Sequence, residues 1–252
     1  MGTALSTFNI AFRRADRVYR LAVAVTDYRS YRIRADWAAK FKRLMHWPQR
    51  YEIDRVDSGD AIIILRDGSD LARADFQRGR TNDLLRASLV MAVSAMDAYF
   101  HAKVCRYVIA HSKKAETGSR LMNLRITVAD FVRGNGLRYR NAALRAAVER
   151  HLYLQSLQTP ENIADAVALI GVSDFWNSVA AEMGQEAKGV RKRLSAISRR
   201  RNQIAHEGDL SQSKLRRNKS HSISRKYTRD ALDFVGVLVC AANKVIDAKK
   251  VV

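Results

Sequence analysis

A chain of 252 residues, 47% hydrophobic and 8% aromatic, is long enough to bury a sizeable core, which excludes a disordered polymer and a small disulfide-stapled scaffold. Only 2 prolines, in a chain rich in Ala, Leu and Arg, favour helix over sheet. The formal charge of +20 points to a polyanionic partner, nucleic acid first, with a merely soluble basic surface or an anionic membrane contact as the plainer alternatives.

The charge is uneven. Residues 1–50 hold 11 Lys/Arg against 3 Asp/Glu, and residues 186–230 hold 14 against 4, whereas residues 51–185 are nearly balanced at 17 against 16. Residues 5–47 read as broken helical stretches among arginines, closed by Pro48. Tyr51 to Asp57 alternates apolar and polar, Ser58-Gly59-Asp60 supplies a turn, and Ala61 to Arg66 returns as a β-branched run, which predicts a hairpin over 51–66. Residues 1–75 are therefore expected to form a small, basic N-terminal α/β appendage.

From residue 76 the pattern is persistently helical. Thr81 or Asn82 can cap a long helix reaching about His111, apolar on most of its circumference and so expected at the centre of a bundle. Gly134-Asn135-Gly136 marks a turn before a helix over roughly 138–155. Thr159-Pro160 starts another, with Thr as cap and Pro at the first helical position. Ser173-Asp174-Phe175-Trp176 opens a short helix ended by Gly184. A further helix runs from about Gln185 to Glu207, with Gly208 suited to a left-handed C-cap. Residues 211–224 form a basic loop, and Tyr227 to about Ala248 an apolar helix. The expected fold is mainly α: an antiparallel helical bundle over 76–252 with the appendage before it.

Cys105 and Cys240 each lie in an apolar helical pattern, where a buried structural role is expected. No Cys/His cluster has metal-ligand spacing, so neither metal nor cofactor is expected. No apolar leader opens the chain, and the most apolar stretch, 84–100, is broken by Arg86 and Asp97; a cytoplasmic protein with no membrane contact is expected.

The chemistry concentrates in Arg199-Arg200-Arg201-Asn202-Gln203-Ile204-Ala205-His206-Glu207-Gly208-Asp209. A guanidinium to hold oxyanions, an imidazole to move protons and an amide to orient either suit work on a phosphodiester. Arg-x4-His spacing alone carries little, because Arg106…His111 and Arg216…His221 repeat it by chance. The interior distinguishes Arg201…His206: Asn202 and His206 are i,i+4 and share a face, Ile204 can anchor the helix, and Gly208 ends it. Arg201 and His206 stand about 140° apart on an ideal helix, so two copies of the chain sharing a cleft would bring both onto one phosphate. Acid and base roles both stay open for His206.

Arg201-Asn202-Gln203-Ile204-Ala205-His206 resembles the Arg-x4–6-His signature of the HEPN superfamily (higher eukaryotes and prokaryotes nucleotide-binding domain). Leu85-Arg86 through Ser94, Asp97 and Tyr99 is similar to that domain's long first helix. Asp174-Phe175-Trp176 through Gly184, followed by Arg193-Leu194 and Ile197, is similar to a later one. The resemblance covers roughly residues 76–250 and is nearest the branch of RNase L-type and prophage-associated HEPN domains. The tyrosine two places after the His, found in members modified by a partner nucleotidyltransferase, is replaced by Gly208.

The resemblance implies a dimeric, metal-independent endoribonuclease in which the ribose 2′-hydroxyl attacks the adjacent phosphate, giving 2′,3′-cyclic phosphate and 5′-hydroxyl ends. Such proteins act as toxins with an antitoxin partner or as antiviral defence effectors. Carried over, Arg201 binds the scissile phosphate, His206 moves the proton, and Asn202 orients the His or the phosphate, with Glu207 beside them. Asp97 is either a carboxylate orienting His206 or Arg201, or part of a hydrogen-bonded buried cluster with Ser94 and His101. Arg199, Arg200, Lys214, Arg216, Arg217 and Lys219 are candidate RNA contacts, with plain solubility as the alternative for the four in the loop. The same sequence accommodates a non-catalytic nucleic-acid- or nucleotide-binding HEPN sensor or adaptor, and a helical interaction protein whose charge serves solubility.

Overall fold

The computed structural model describes residues 3–26, 35–48, 50, 81–117, 119–125, 127–129, 132, 140–206, 209 and 221–248. Eight helices occur among them: α1 (Ala4–Thr26), α2 (Ala35–Leu44), α3 (Asn82–Ser112), α4 (Arg140–Tyr153), α5 (Pro160–Ala168), α6 (Phe175–Glu182), α7 (Ala187–His206) and α8 (Arg225–Ala248). No strand occurs among the described residues, and the hairpin expected at 51–66 lies outside them.

The axis of the bundle is α3, against which α1, α4, α5, α7 and α8 all pack. Leu89, Phe100, Val104 and Val108 are buried along one side of it and Ala92, Ala95 and Tyr99 along another, so burial covers more than half of its circumference and leaves no single amphipathic stripe. Phe100 meets Phe175 edge-on at 6.1 Å, and Phe175 meets Trp176 at 5.0 Å, so the aromatics of α6 are core. The Trp176 indole N–H donates to the Pro160 carbonyl at 2.9 Å, tying α6 to the start of α5.

In the segment expected to form an α/β appendage, α1 and α2 are the helical stretches read at 5–47, no strand is found among its described residues, and α1 is built into the bundle. Ala15 and Ala22 on α1 and Ala92 on α3 are wholly buried, and their small side chains let the two backbones approach closely. Ser88 Oγ donates to the Ala15 carbonyl at 2.8 Å across this contact. Phe8 enters the core edge-on to Tyr99 at 6.1 Å, and Arg229 of α8 bonds Asp16 at 2.7 Å.

Local signals behave unevenly. Thr159 caps α5 as expected, its hydroxyl accepting the Asn162 amide at 3.3 Å with Pro160 next in line. Thr81 occupies the corresponding place before α3, but its buried hydroxyl makes no cap bond. Gly184, at φ +62, ends α6 in the left-handed region that glycine tolerates. The cysteines depart from expectation: both are free thiols, Cys240 is exposed and Cys105 half-buried, its pKa pushed up to about 11 chiefly by burial.

Candidate functional site

Helix α7 carries the Arg/Asn/His motif, and its own periodicity positions it. Val190, Leu194, Ile197 and Ser198 recur at i, i+4, i+7 and i+8 and are buried, with Ile204 packed on the rim of the core; the arginines fall on the remaining faces. Ser198 donates to the Gln158 carbonyl, fixing the rotation of the helix against the loop before α5. Arg193 lies over the Phe234 ring at 4.8 Å and donates to the Asp230 carbonyl at 2.9 Å, which pins α7 to α8.

The three consecutive arginines have three different environments. Arg199 is exposed. Arg200 forms a two-pronged pair with Asp209, Nη1 to Oδ1 and Nη2 to Oδ2, the latter at 2.9 Å. Asp209 is only 1% exposed and also accepts Arg86 Nε from α3 at 2.5 Å. Arg86 in turn reaches Asp83 at 2.9 Å and the His221 carbonyl at 2.8 Å. Two guanidiniums and one buried carboxylate therefore form a clamp joining the end of α7, the first turn of α3 and the segment leading into α8. The Asp209 amide donates to the Gln203 carbonyl at 3.0 Å and its carbonyl accepts the His221 amide at 2.8 Å, so the clamp also closes the base of the basic 210–220 segment. Asp209 sits at φ +57, a left-handed conformation that a short polar side chain tolerates.

Arg201 stands apart from this clamp. It pairs with no carboxylate among the described residues; its Nη1 donates to Asn202 Oδ1 at 3.1 Å, and its buried Nε has no hydrogen-bond partner. Asn202 is exposed, and His206 is exposed at the last helical position. The motif thus presents a guanidinium with no carboxylate partner among the described residues, steadied by a neighbouring amide, with an exposed imidazole about 7.5 Å further along the axis. Arg200, expected as an RNA contact, is largely occupied by Asp209.

Asp97 has a different task from orienting the motif. Its carboxylate accepts the Leu157 amide at 2.5 Å, which holds the connection between α4 and α5, and lies 3.7 Å from His101 Nε2; both side chains are partly exposed, and Ser94 is exposed, so the three do not form a buried cluster. Glu207, Gly208, Lys214, Arg216, Arg217 and Lys219 lie outside the described residues. The residues that sequence reasoning missed are Arg86, Asp209 and His221. The usable signal was Arg86 itself: a cation on a helix apolar all round needs a buried carboxylate partner.

Comparison with protein families gives a match to RiboL-PSP-HEPN over residues 60–248, a span that contains α3 to α8 and the whole motif and leaves α1 and α2 outside it. Comparison with curated proteins and with solved structures gave no match. A helical bundle around one long central helix agrees with that assignment. The chain belongs to the RiboL-PSP family of HEPN domains.

Proposed function

We propose that the protein is a metal-independent endoribonuclease that cleaves RNA through Arg201, Asn202 and His206. HEPN domains are ribonucleases or nucleotide-binding modules, and the observation favouring cleavage is the contrast between adjacent arginines. Arg200 is neutralised by Asp209, while Arg201 pairs with no carboxylate among the described residues and lies beside Asn202, with the exposed His206 on the same helix. A purely structural cation at this depth would be expected to carry a carboxylate.

In this reading Arg201 holds the scissile phosphate and offsets the charge that grows on its oxygens in the transition state. Asn202 keeps that guanidinium aimed. The 2′-oxygen forms a bond to phosphorus as its proton leaves, the bond to the 5′-oxygen breaks, and the departing oxygen takes a proton; His206 is the group that moves protons. The products are a 2′,3′-cyclic phosphate and a 5′-hydroxyl. Because Arg201 and His206 stand about 140° apart on one helix, the productive site combines groups from two chains of a homodimer. Toxin or antiviral defence is the biological role this chemistry fits, with an antitoxin or defence-system protein as partner.

The test is incubation of total RNA in EDTA with wild type, Arg201→Ala and His206→Ala, followed by analysis of the new ends. Wild type is expected to give cyclic-phosphate ends, and Arg201→Ala to lose on the order of 10²-fold or more in rate. Equal fragmentation by all three proteins would overturn the proposal. RNA binding without cleavage by wild type would leave the sensor or adaptor reading in its place.

A further inference from the structure

Beside the motif runs a groove of about 440 Å³, walled on one side by Arg199, Arg200 and Gln203 of α7 and on the other by Ser222, Ser224 and Tyr227 at the entry to α8. We infer that this groove is an RNA subsite that holds the nucleotide flanking the cleaved bond, with the base stacked on Tyr227 and its phosphate on Arg199. The inference rests on the RNA reading above.

Three observations carry it. The first is direction. Arg199, Gln203 and His206 are i, i+4 and i+7, so they share one stripe of α7, with Arg199 and His206 about 20° apart around the axis and about 10 Å apart along it. A strand in the groove is therefore led to the imidazole. The second is charge. Arg200 is held by Asp209 and by the His221 and Ser222 carbonyls, the latter two at 3.3 Å, so it forms a fixed wall, and Arg199 is the exposed cation of the groove. The third is the character of the far wall. Tyr227 is a large ring left 36% exposed on a helix whose other apolar residues are mostly buried. Its backbone is set by the bond from its amide to Ser224 Oγ at 3.1 Å, which leaves the serine proton and the Gln203 amide to meet ribose or phosphate oxygens. Burial raises the phenol pKa, against the pull of Arg200, so the ring stays neutral and its hydroxyl remains a donor. A planar ring beside a cation and neutral donors matches single-stranded RNA, where base stacking and backbone charge act together.

The test uses full-length protein carrying His206→Ala, so that binding is read without turnover, and a short fluorescein-labelled oligouridine followed by anisotropy across a salt series. Tyr227→Ala in that background is expected to weaken binding about tenfold, and Tyr227→Trp to retain it, which separates stacking from folding. Arg199→Ala is expected to lower the slope of log affinity against log salt by about 1. Lys188→Ala, at the other end of α7, serves as the control for general charge. Tyr227→Ala binding no more weakly than Lys188→Ala would overturn the subsite, as would an absence of any RNA binding. Groove-dependent binding by a wild type that does not cleave would sink the nuclease proposal and leave the subsite standing; cleavage unaffected by groove variants would do the reverse.

Discussion

Arg200 and Arg201 are neighbours in the chain with opposite surroundings, and the difference lies in one partner. Asp209 is almost completely buried between Arg86 and Arg200, so Asp209→Ala leaves two guanidiniums facing each other with only the exposed Asp83, bound to Arg86, as a counter-charge. A loss of about 3–5 kcal/mol is expected in urea denaturation, as for other broken buried pairs. Arg201→Ala is expected to change stability by about 0.5 kcal/mol or less, because no carboxylate among the described residues loses its partner, while lowering cleavage on the order of 10²-fold or more. A large stability loss on removing Arg201 would show that it is a structural cation after all. The motif itself was legible in the sequence, since Arg201, Asn202 and His206 lie within one helical stretch. The clamp was not, because Arg86 and Asp209 are 123 residues apart and nothing local links them. The two decoy spacings also separate only in three dimensions. His111 is packed against Gly171, and His221 contributes its backbone carbonyl to Arg86 and Arg200.

At the scale of elements, the long α3 and the Thr159-Pro160 start of α5 were readable because periodicity and capping are local. The place of α1 was not: its exposed Ile10 and Leu21 and its many arginines obscure the thin alanine face that meets α3. That face makes α1 part of the cooperative unit. Phe8→Ala is expected to destabilise the entire helical signal by about 3 kcal/mol or more in denaturant, in a single transition; an early, separate loss of α1 alone would contradict this. Between α3 and the turn after α5, Gly171 sits at φ +74, and a Cβ there would meet His111 Cε1 at 2.3 Å. Gly171→Ala therefore combines backbone strain with a clash and is expected to cost roughly 2 kcal/mol in thermal or urea unfolding. Burial lowers the His111 pKa from its ordinary 6.5, so the unfolded chain takes up this proton before the folded one does. The His111 contribution is full above pH 6.5 and is lost as pH falls through the folded pKa. His111→Gln should flatten that part of the Tm profile; an unchanged slope would show that the imidazole titrates as in water.

For the whole molecule, two features bear on the proposed function: the charge of +20 and the placing of Arg201 and His206 about 140° apart on one helix. The basic excess around α7 lies where the motif lies, and RNA affinity is expected to fall steeply with salt, read as the slope of log affinity against log salt; a flat slope would assign the charge to solubility alone. No helix among the described residues is long and apolar enough to cross a membrane. The proposed composite site gives the most direct test of the account. Arg201→Ala and His206→Ala proteins, each inactive alone, are mixed under conditions that allow subunits to exchange, and RNA cleavage is measured. A heterodimer keeps one cleft with an intact Arg201 from one chain and an intact His206 from the other, so the mixture is predicted to regain activity that neither parent has. A mixture as inactive as its parents, beside an active wild type, would contradict the shared site.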